Sequence, residues 1–165
     1  MLTANGHRIE LLAAFAVKGE PVGKQRPRVV RRGSKTHTFT PQKTKTYEQR
    51  IAWTTASQRN LREAPIAKST DALFVRSRAI FTRPKYLLKR PSAPRGLILK
   101  TTTPDADNVA KAIGDGLEKS GIVTANDARF AGIECWKYWA EVDGPGPRTE
   151  IEIYRVLPLE TNGAG

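Results

Sequence analysis

The chain has 165 residues, 39% apolar and 27% charged, which is enough for one domain with one core and excludes a largely disordered chain. Its 28 Lys and Arg against 16 Asp and Glu give a net charge of +12, a balance that points to a polyanionic partner, most often nucleic acid. One cysteine, Cys135, and two histidines, His7 and His37, exclude an intramolecular disulfide framework and a multi-Cys zinc site. No apolar run approaches the ~18 residues of a membrane span. The first ten residues do not read as a secretory signal, so a reducing cytoplasm is expected.

Residues 8–17 read as a strand carrying Leu11, Leu12, Phe15 and Val17. Residues 18–40 read as a basic loop broken by Gly19, Pro21, Gly23 and Pro27, with a short hairpin centred on Gly33 and Ser34. Lys24, Arg26, Arg28, Arg31 and Arg32 are expected there as DNA phosphate contacts, which position a protein without reading bases. Thr40-Pro41 reads as an N-cap followed by Pro at the first helical position. The helix is expected to reach about Arg62, with Tyr47, Ile51, Thr54 and Thr55 at helical spacing and Trp53 on its flank. Leu73, Val75, Ala79 and Phe81 alternate, which predicts a strand over 70–82 with Arg76 and Arg78 on its second face. Both arginines are candidate DNA contacts. Residues 83–104 hold four prolines and six basic residues and read as a mobile basic loop, also a candidate DNA contact. A helix is expected over 107–120, stopped by Gly121. Strands at 128–140 and 148–157 are joined by the Asp-Gly-Pro-Gly-Pro turn at 143–147. Ile133, Trp136, Tyr138 and Trp139 are expected in a core or a dimer interface, and Cys135 as a small buried residue.

The expected fold is α/β (α+β): a single domain over 1–165 with one mixed sheet of about four to six strands and two main helices. Its core spans about 11–157, with flexible ends at 1–7 and 158–165.

Charge is unevenly spread. Residues 1–100 carry 22 basic and 5 acidic residues; residues 101–165 carry 6 and 11. A protein that only coats phosphates has no need to collect carboxylates, whereas one that holds divalent metal against phosphate does. The acidic half contains Asp105, Asp107, Asn108, Lys111 and Asp115 in one run, then Asn126 and Asp127. Asp105 and Asp107, where a loop turns into a helix, suit one hard cation, since Mg²⁺ takes one or two protein carboxylates. They also suit helix capping. Asp107, Lys111 and Asp115 are spaced as an i, i+4, i+8 ion-pair ladder, and that reading stays open too.

The run Asp-x-Asp-Asn-x-x-Lys-x-x-x-Asp at 105–115, with Gly121 and Asn126-Asp127, resembles the RusA family of Holliday junction resolvases, especially its phage-type branch. Lys24-Gln-Arg26-Pro27-Arg28 and the segment around Phe39-Thr-Pro41 and Tyr47 are similar to that branch's basic and Tyr-Thr-Pro segments. The resemblance covers about 11–157. It implies a homodimeric, Mg²⁺-dependent (or Mn²⁺-dependent) endodeoxyribonuclease that nicks four-way DNA junctions symmetrically in recombination and repair, in a bacterial or phage-infected cell. It also implies Asp105, Asp107 and Asp127 as catalytic metal ligands and Lys111 as the catalytic lysine; Asn108, Asp115 and Asn126 are candidates for the polar groups around them. Thr103 before Pro104, Asn126 before Asp127, and Arg129 depart from the family pattern. Asp127 also stands one residue further from the helix than in compact members. A non-catalytic nucleic-acid binder of the same fold, or a nuclease of flaps and forks, is the alternative.

Overall fold

Residues 73–81 and 148–156 alternate deeply buried with more open side chains, so a sheet built from them needs cover on one face. The computed structural model describes residues 3–26, 28–63, 70–89, 92–124 and 126–158. Pro27 and the expected tail from residue 159 lie outside them. In chain order the elements are β1 (Thr3–Ala4), β2 (His7–Lys18), β3 (Arg28–Arg32), β4 (Lys35–Phe39), α1 (Gln42–Ala56) and α2 (Arg59–Glu63). There follow β5 (Leu73–Phe81), α3 (Lys85–Leu88), β6 (Ile98–Leu99), α4 (Ala106–Lys119), β7 (Phe130–Trp139) and β8 (Arg148–Val156).

The main sheet has six strands in the order β1-β2-β8-β5-β7-β6. β5 and β7 are parallel and the other neighbours antiparallel, so the sheet is mixed as expected. The strands on either side of the 143–147 turn are not neighbours, because β5 lies between β7 and β8. The basic hairpin forms, with Arg32 opposite Lys35 across Gly33, whose φ of 62° suits glycine. The sheet reaches back to Thr3 through the pairing of β1 with β2.

Helices α1 and α4 pack against each other, α1 also meeting β2 and α4 meeting β7. Val17, Val75, Ala79, Ile151 and Ile153 meet Tyr47 and Ile51 of α1 and Val109, Ile113 and Leu117 of α4 in one buried cluster. Gly116 permits the crossing: a Cβ there would lie 2.7 Å from the Ile51 Cβ.

Two helix boundaries differ from the sequence expectation. Pro41, not Thr40, stands at the N-cap, in extended conformation, and its carbonyl accepts from the Lys45 N–H. A residue before proline is disfavoured in the helical region, which keeps Thr40 outside. The single helix to Arg62 is two helices. Thr55 Oγ1, Ser57 Oγ and Gln58 Nε2 donate to the carbonyls of Ile51, Thr54 and Thr54, giving the backbone an alternative to continuing the helix.

The proline-rich basic segment is anchored at its two most buried cations, Arg83 and Lys100, while Lys85, Lys89 and Arg95 stay exposed. Arg83 is 5% exposed and donates to the carbonyls of Ala140, Pro94 and Gly96. An irregular segment leaves carbonyls without strand partners, and a guanidinium supplies several donors at once. Lys100 is as buried, with its ammonium 4.4 Å from the Trp139 ring centroid and 5.0 Å from that of Phe81. Burial, with the Lys137 charge nearby, pushes its pKa below the usual lysine value.

On the face away from the helices, Arg76 pairs with Glu134 and Glu152, and Arg78 with Glu150. These two candidate DNA contacts are already partnered. Trp136 is on this face, half-exposed, donating to Glu134 at 2.7 Å, so it is not a core residue. Cys135 is partly buried against the core, and burial pushes its thiol pKa up.

Arg148 clamps the β7–β8 connection by donating to both Glu141 oxygens, at 2.8 and 3.0 Å. This bidentate bond, which outweighs some desolvation, holds the Glu141 pKa at about 2, below the ordinary 4.5. The depressed carboxyl contributes stability that is fully present above pH 4.5 and lost as pH falls towards 2. Glu141→Gln is therefore expected to destabilise the fold by about 1–2 kcal/mol at neutral pH and less at pH 3. Chemical denaturation at both pH values checks this.

Candidate active site at the start of the last helix

The acidic run begins where the loop after β6 turns into α4. The turn is fastened from beneath: Lys137 of β7 donates to the carbonyls of Thr102 and Pro104, each at 2.7 Å. Lys100 donates to Thr102 Oγ1 at 2.6 Å and to the Thr102 and Thr103 carbonyls. The Thr103-Pro104 peptide is cis. The start of α4 thus sits by the carboxyl ends of the parallel pair β5 and β7, the usual place for ligand sites in α/β sheets.

Asp105 occupies the N-cap position of α4, but its carboxylate makes no capping bond. Asp107 lies in the first turn, where the helix dipole favours negative charge. Both are exposed, and among the described residues neither enters an ion pair. Lys111, one turn on, is exposed as well. Among the described residues the ladder the spacing allows does not form: Asp115 pairs with Lys24, and Lys111 enters no ion pair with Asp107. Asn108 is half-buried, and its carbonyl accepts from the Lys24 backbone N–H at 2.7 Å.

A cleft of about 580 Å³ opens here, lined by residues 20–25, Lys43, Thr103, Pro104, Asp105 and Asn108. Gly23 makes its narrow wall possible, since a Cβ there would come within 2.7 Å of the Pro104 ring. Glu20 is braced by Thr82, whose N–H and hydroxyl both donate to it. A larger groove of about 630 Å³ lies beside Phe74, Arg76 and Glu134 and contains none of the acidic run.

Asp127 is not brought to Asp105 and Asp107. It opens a single 3₁₀ turn, Asp127–Arg129, at the amino-terminal end of β7, whereas the start of α4 lies by the other end. A strand of ten residues spans roughly 30 Å. Among the described residues, no three carboxylate, histidine or cysteine side chains converge to hold a metal ion. The three-carboxylate ligand set expected from the sequence is therefore not assembled by these residues. Asn126 acts locally, its side chain capping the 3₁₀ turn by accepting from Ala128 N–H at 2.9 Å.

The basic residues divide. Lys24 donates to Glu48 at 2.9 Å and to Asp115. Burial works against its charge, but the Asp115 and Glu48 carboxylates outweigh that and raise its pKa above 10.5. Arg26 and Arg31 are exposed. Arg28 and Arg32 lie in β3, and their side chains fall outside the described residues. Glu48, Lys43 and Glu20 were not placed by sequence reasoning. Glu48 had a signal: Thr44, Tyr47, Ile51 and Thr55 mark the buried stripe of α1, and Glu48 falls on it.

A basic α/β protein thus carries exposed carboxylates and a lysine at a helix start, beside a cleft at the carboxyl ends of β5 and β7. The sequence pattern of the family described as Endodeoxyribonuclease RusA matches residues 18–154. The chain belongs to that family. It is also 28% identical over 144 residues to the "Uncharacterized protein YqaN" of Bacillus subtilis (strain 168), covering 86% of this chain and 95% of that protein. The matched stretch includes the cleft, the acidic run and the basic hairpin.

With no ion-pair partner among the described residues, Lys111 contributes little to the fold. Lys111→Ala should change stability by less than ~0.5 kcal/mol. A thermal melt of the variant checks this, and a clear drop would make the lysine structural.

Proposed function

We propose that the protein is a Mg²⁺-dependent (or Mn²⁺-dependent) endodeoxyribonuclease that resolves four-way DNA junctions by paired symmetric nicks, acting as a homodimer in the cytoplasm of a bacterial or phage-infected cell. One observation carries the reading. Asp105 and Asp107 stand exposed at the start of α4, among the described residues neither ion-paired nor, for Asp105, spent on capping, with Lys111 one turn away.

The donor set suits a hard divalent cation. Asp105 and Asp107 are the residues that would hold it, and Mg²⁺ takes one or two protein carboxylates with phosphate and water completing its shell. When bound, such an ion supplies Lewis acidity towards a phosphoryl oxygen and lowers the pKa of a bound water. The chain's own residues do the rest. The ammonium of Lys111 faces negative charge that grows on the phosphate only as the bond breaks, which is where a fixed cation accelerates a reaction. Arg26 and Arg31, with Arg28 and Arg32 on the same segment, hold DNA by its phosphates. Paired nicks need two such sites, and a twofold dimer supplies them with the symmetry of the junction.

Asp107→Asn is expected to abolish nicking while keeping or strengthening junction binding, because it removes a ligand and one negative charge facing phosphate. Cleavage of a labelled immobile junction in Mg²⁺, with a flap and a plain duplex alongside, is the measurement. Near wild-type nicking would remove Asp107 from the chemistry. Cutting of the flap alone would make this a fork or flap nuclease, and binding without cutting a non-catalytic DNA binder.

Lys111→Ala should lower the single-turnover rate on saturating junction by ~100-fold or more. Lys111→Arg should restore little, since a wide planar guanidinium does not replace a compact ammonium.

A further inference from the structure

Glu48 is 1% exposed, and a carboxylate buried that deeply needs a cationic partner. Its partners come from distant parts of the chain: Lys24, ahead of β3, at 2.9 Å, and Lys119 in the last turn of α4. Lys24 also bonds Asp115, one helical turn before Lys119. The Lys24 backbone N–H is fixed as well, donating to the Asn108 carbonyl at 2.7 Å. Lys24 is therefore fastened to α4 by its main chain at one end and its ammonium at the other. A phosphate contact needs an ammonium that faces solvent, whereas this one is turned onto two carboxylates and is 31% exposed.

We propose that Lys24, Glu48 and Asp115 form an internal lock of positioning residues that fixes residues 19–26 as one wall of the cleft beside Asp105, and that Lys24 is not a phosphate contact. The consequence for cleavage rests on the nuclease reading; the lock itself does not. The physical logic is preorganisation. A loop rich in glycine and proline between β2 and β3 would otherwise lose its freedom only when DNA arrives. The lock removes that freedom during folding. It also sets the starting point of Arg26, the next exposed cation along the chain.

The test uses the full chain with Lys24→Met, Asp115→Asn and Glu48→Gln, and Arg26→Gln as the phosphate-contact control. Lys24→Met leaves Lys119 on Glu48, so the buried carboxylate keeps a partner. Three quantities are read: the salt dependence of binding to a four-way junction, the amide hydrogen exchange of residues 23–26, and the single-turnover cleavage rate on saturating junction.

The lock requires that Lys24→Met leave the slope of log affinity against log salt unchanged, while Arg26→Gln flattens it by about 0.9. It requires exchange at residues 23–26 to rise by ~10-fold or more in Lys24→Met and Asp115→Asn, because local opening sets that rate. Cleavage should fall in both even at saturation. A slope flattened by about 0.9 in Lys24→Met with exchange unchanged would overturn the proposal and make Lys24 an ordinary phosphate contact. Should Glu48→Gln fail to fold, Asp115→Asn, on a half-exposed residue, carries the same readouts. A wild-type chain that cuts no junction would sink the nuclease reading alone, since exchange still decides the lock.

Discussion

A carboxylate out of water has to be neutralised, and in this protein the way that is done ties the site together. Glu48 projects from α1 into the space between α1, α4 and the loop after β2. The ammonium of Lys24 reaches it from the loop and that of Lys119 from α4. Removing one partner of a buried pair costs far more than the pair contributes, because the other charge is left stranded. The arrangement therefore acts as a constraint on geometry more than as a source of stability. It places the loop, and with it the narrow approach of Gly23 to Pro104, against the turn that carries Asp105.

The uneven charge of the chain is divided by the same packing. Many of the cations in the first hundred residues are already engaged. Arg83 binds carbonyls, Lys100 lies over two aromatic rings, and Arg76 and Arg78 answer glutamates across the sheet. Arg26 and Arg31 stay exposed near the cleft and along the hairpin. The acids divide in the same way. Glu134, Glu150 and Glu152 pair with sheet arginines, while Asp105 and Asp107 stay outside ion pairs among the described residues. Arg83 and Lys100, buried against neutral groups, thus count in the net charge of +12 without presenting it at the surface, and the sheet ion pairs leave fewer unpaired carboxylates than the acidic half suggests.

Features of the fold that depend on near neighbours in the chain were legible in the sequence. The alternation in β5 and β8, the hairpin at Gly33, and the stop of α4 at Gly121 with φ 69° all follow from local pattern and backbone freedom. The division of the expected first helix at Ser57 was less so, because it depends on side chains of Thr55, Ser57 and Gln58 choosing backbone acceptors. The anchoring of Arg83 and Lys100 was not legible at all. Composition reads prolines and cations as an open loop, and only the folded chain brings the carbonyls of Pro94, Gly96 and Ala140 to Arg83 and the rings of Phe81 and Trp139 to Lys100.

The sequence by itself determined the α/β class, the basic character, the acidic run at the start of α4 and the family to which the chain belongs, since each rests on residue identity and short spacing. Tertiary structure decided which of those charges are free. Spacing put Lys111 between Asp107 and Asp115, but Lys24, 91 residues from Asp115 in the chain, takes that partner. Spacing also put Asp127 after the helix without revealing that a whole strand's length would separate it from Asp105. A charge pairs with whatever the fold brings within a few ångströms, and that distance is set by the packing of α1, α4 and the sheet, not by position along the chain.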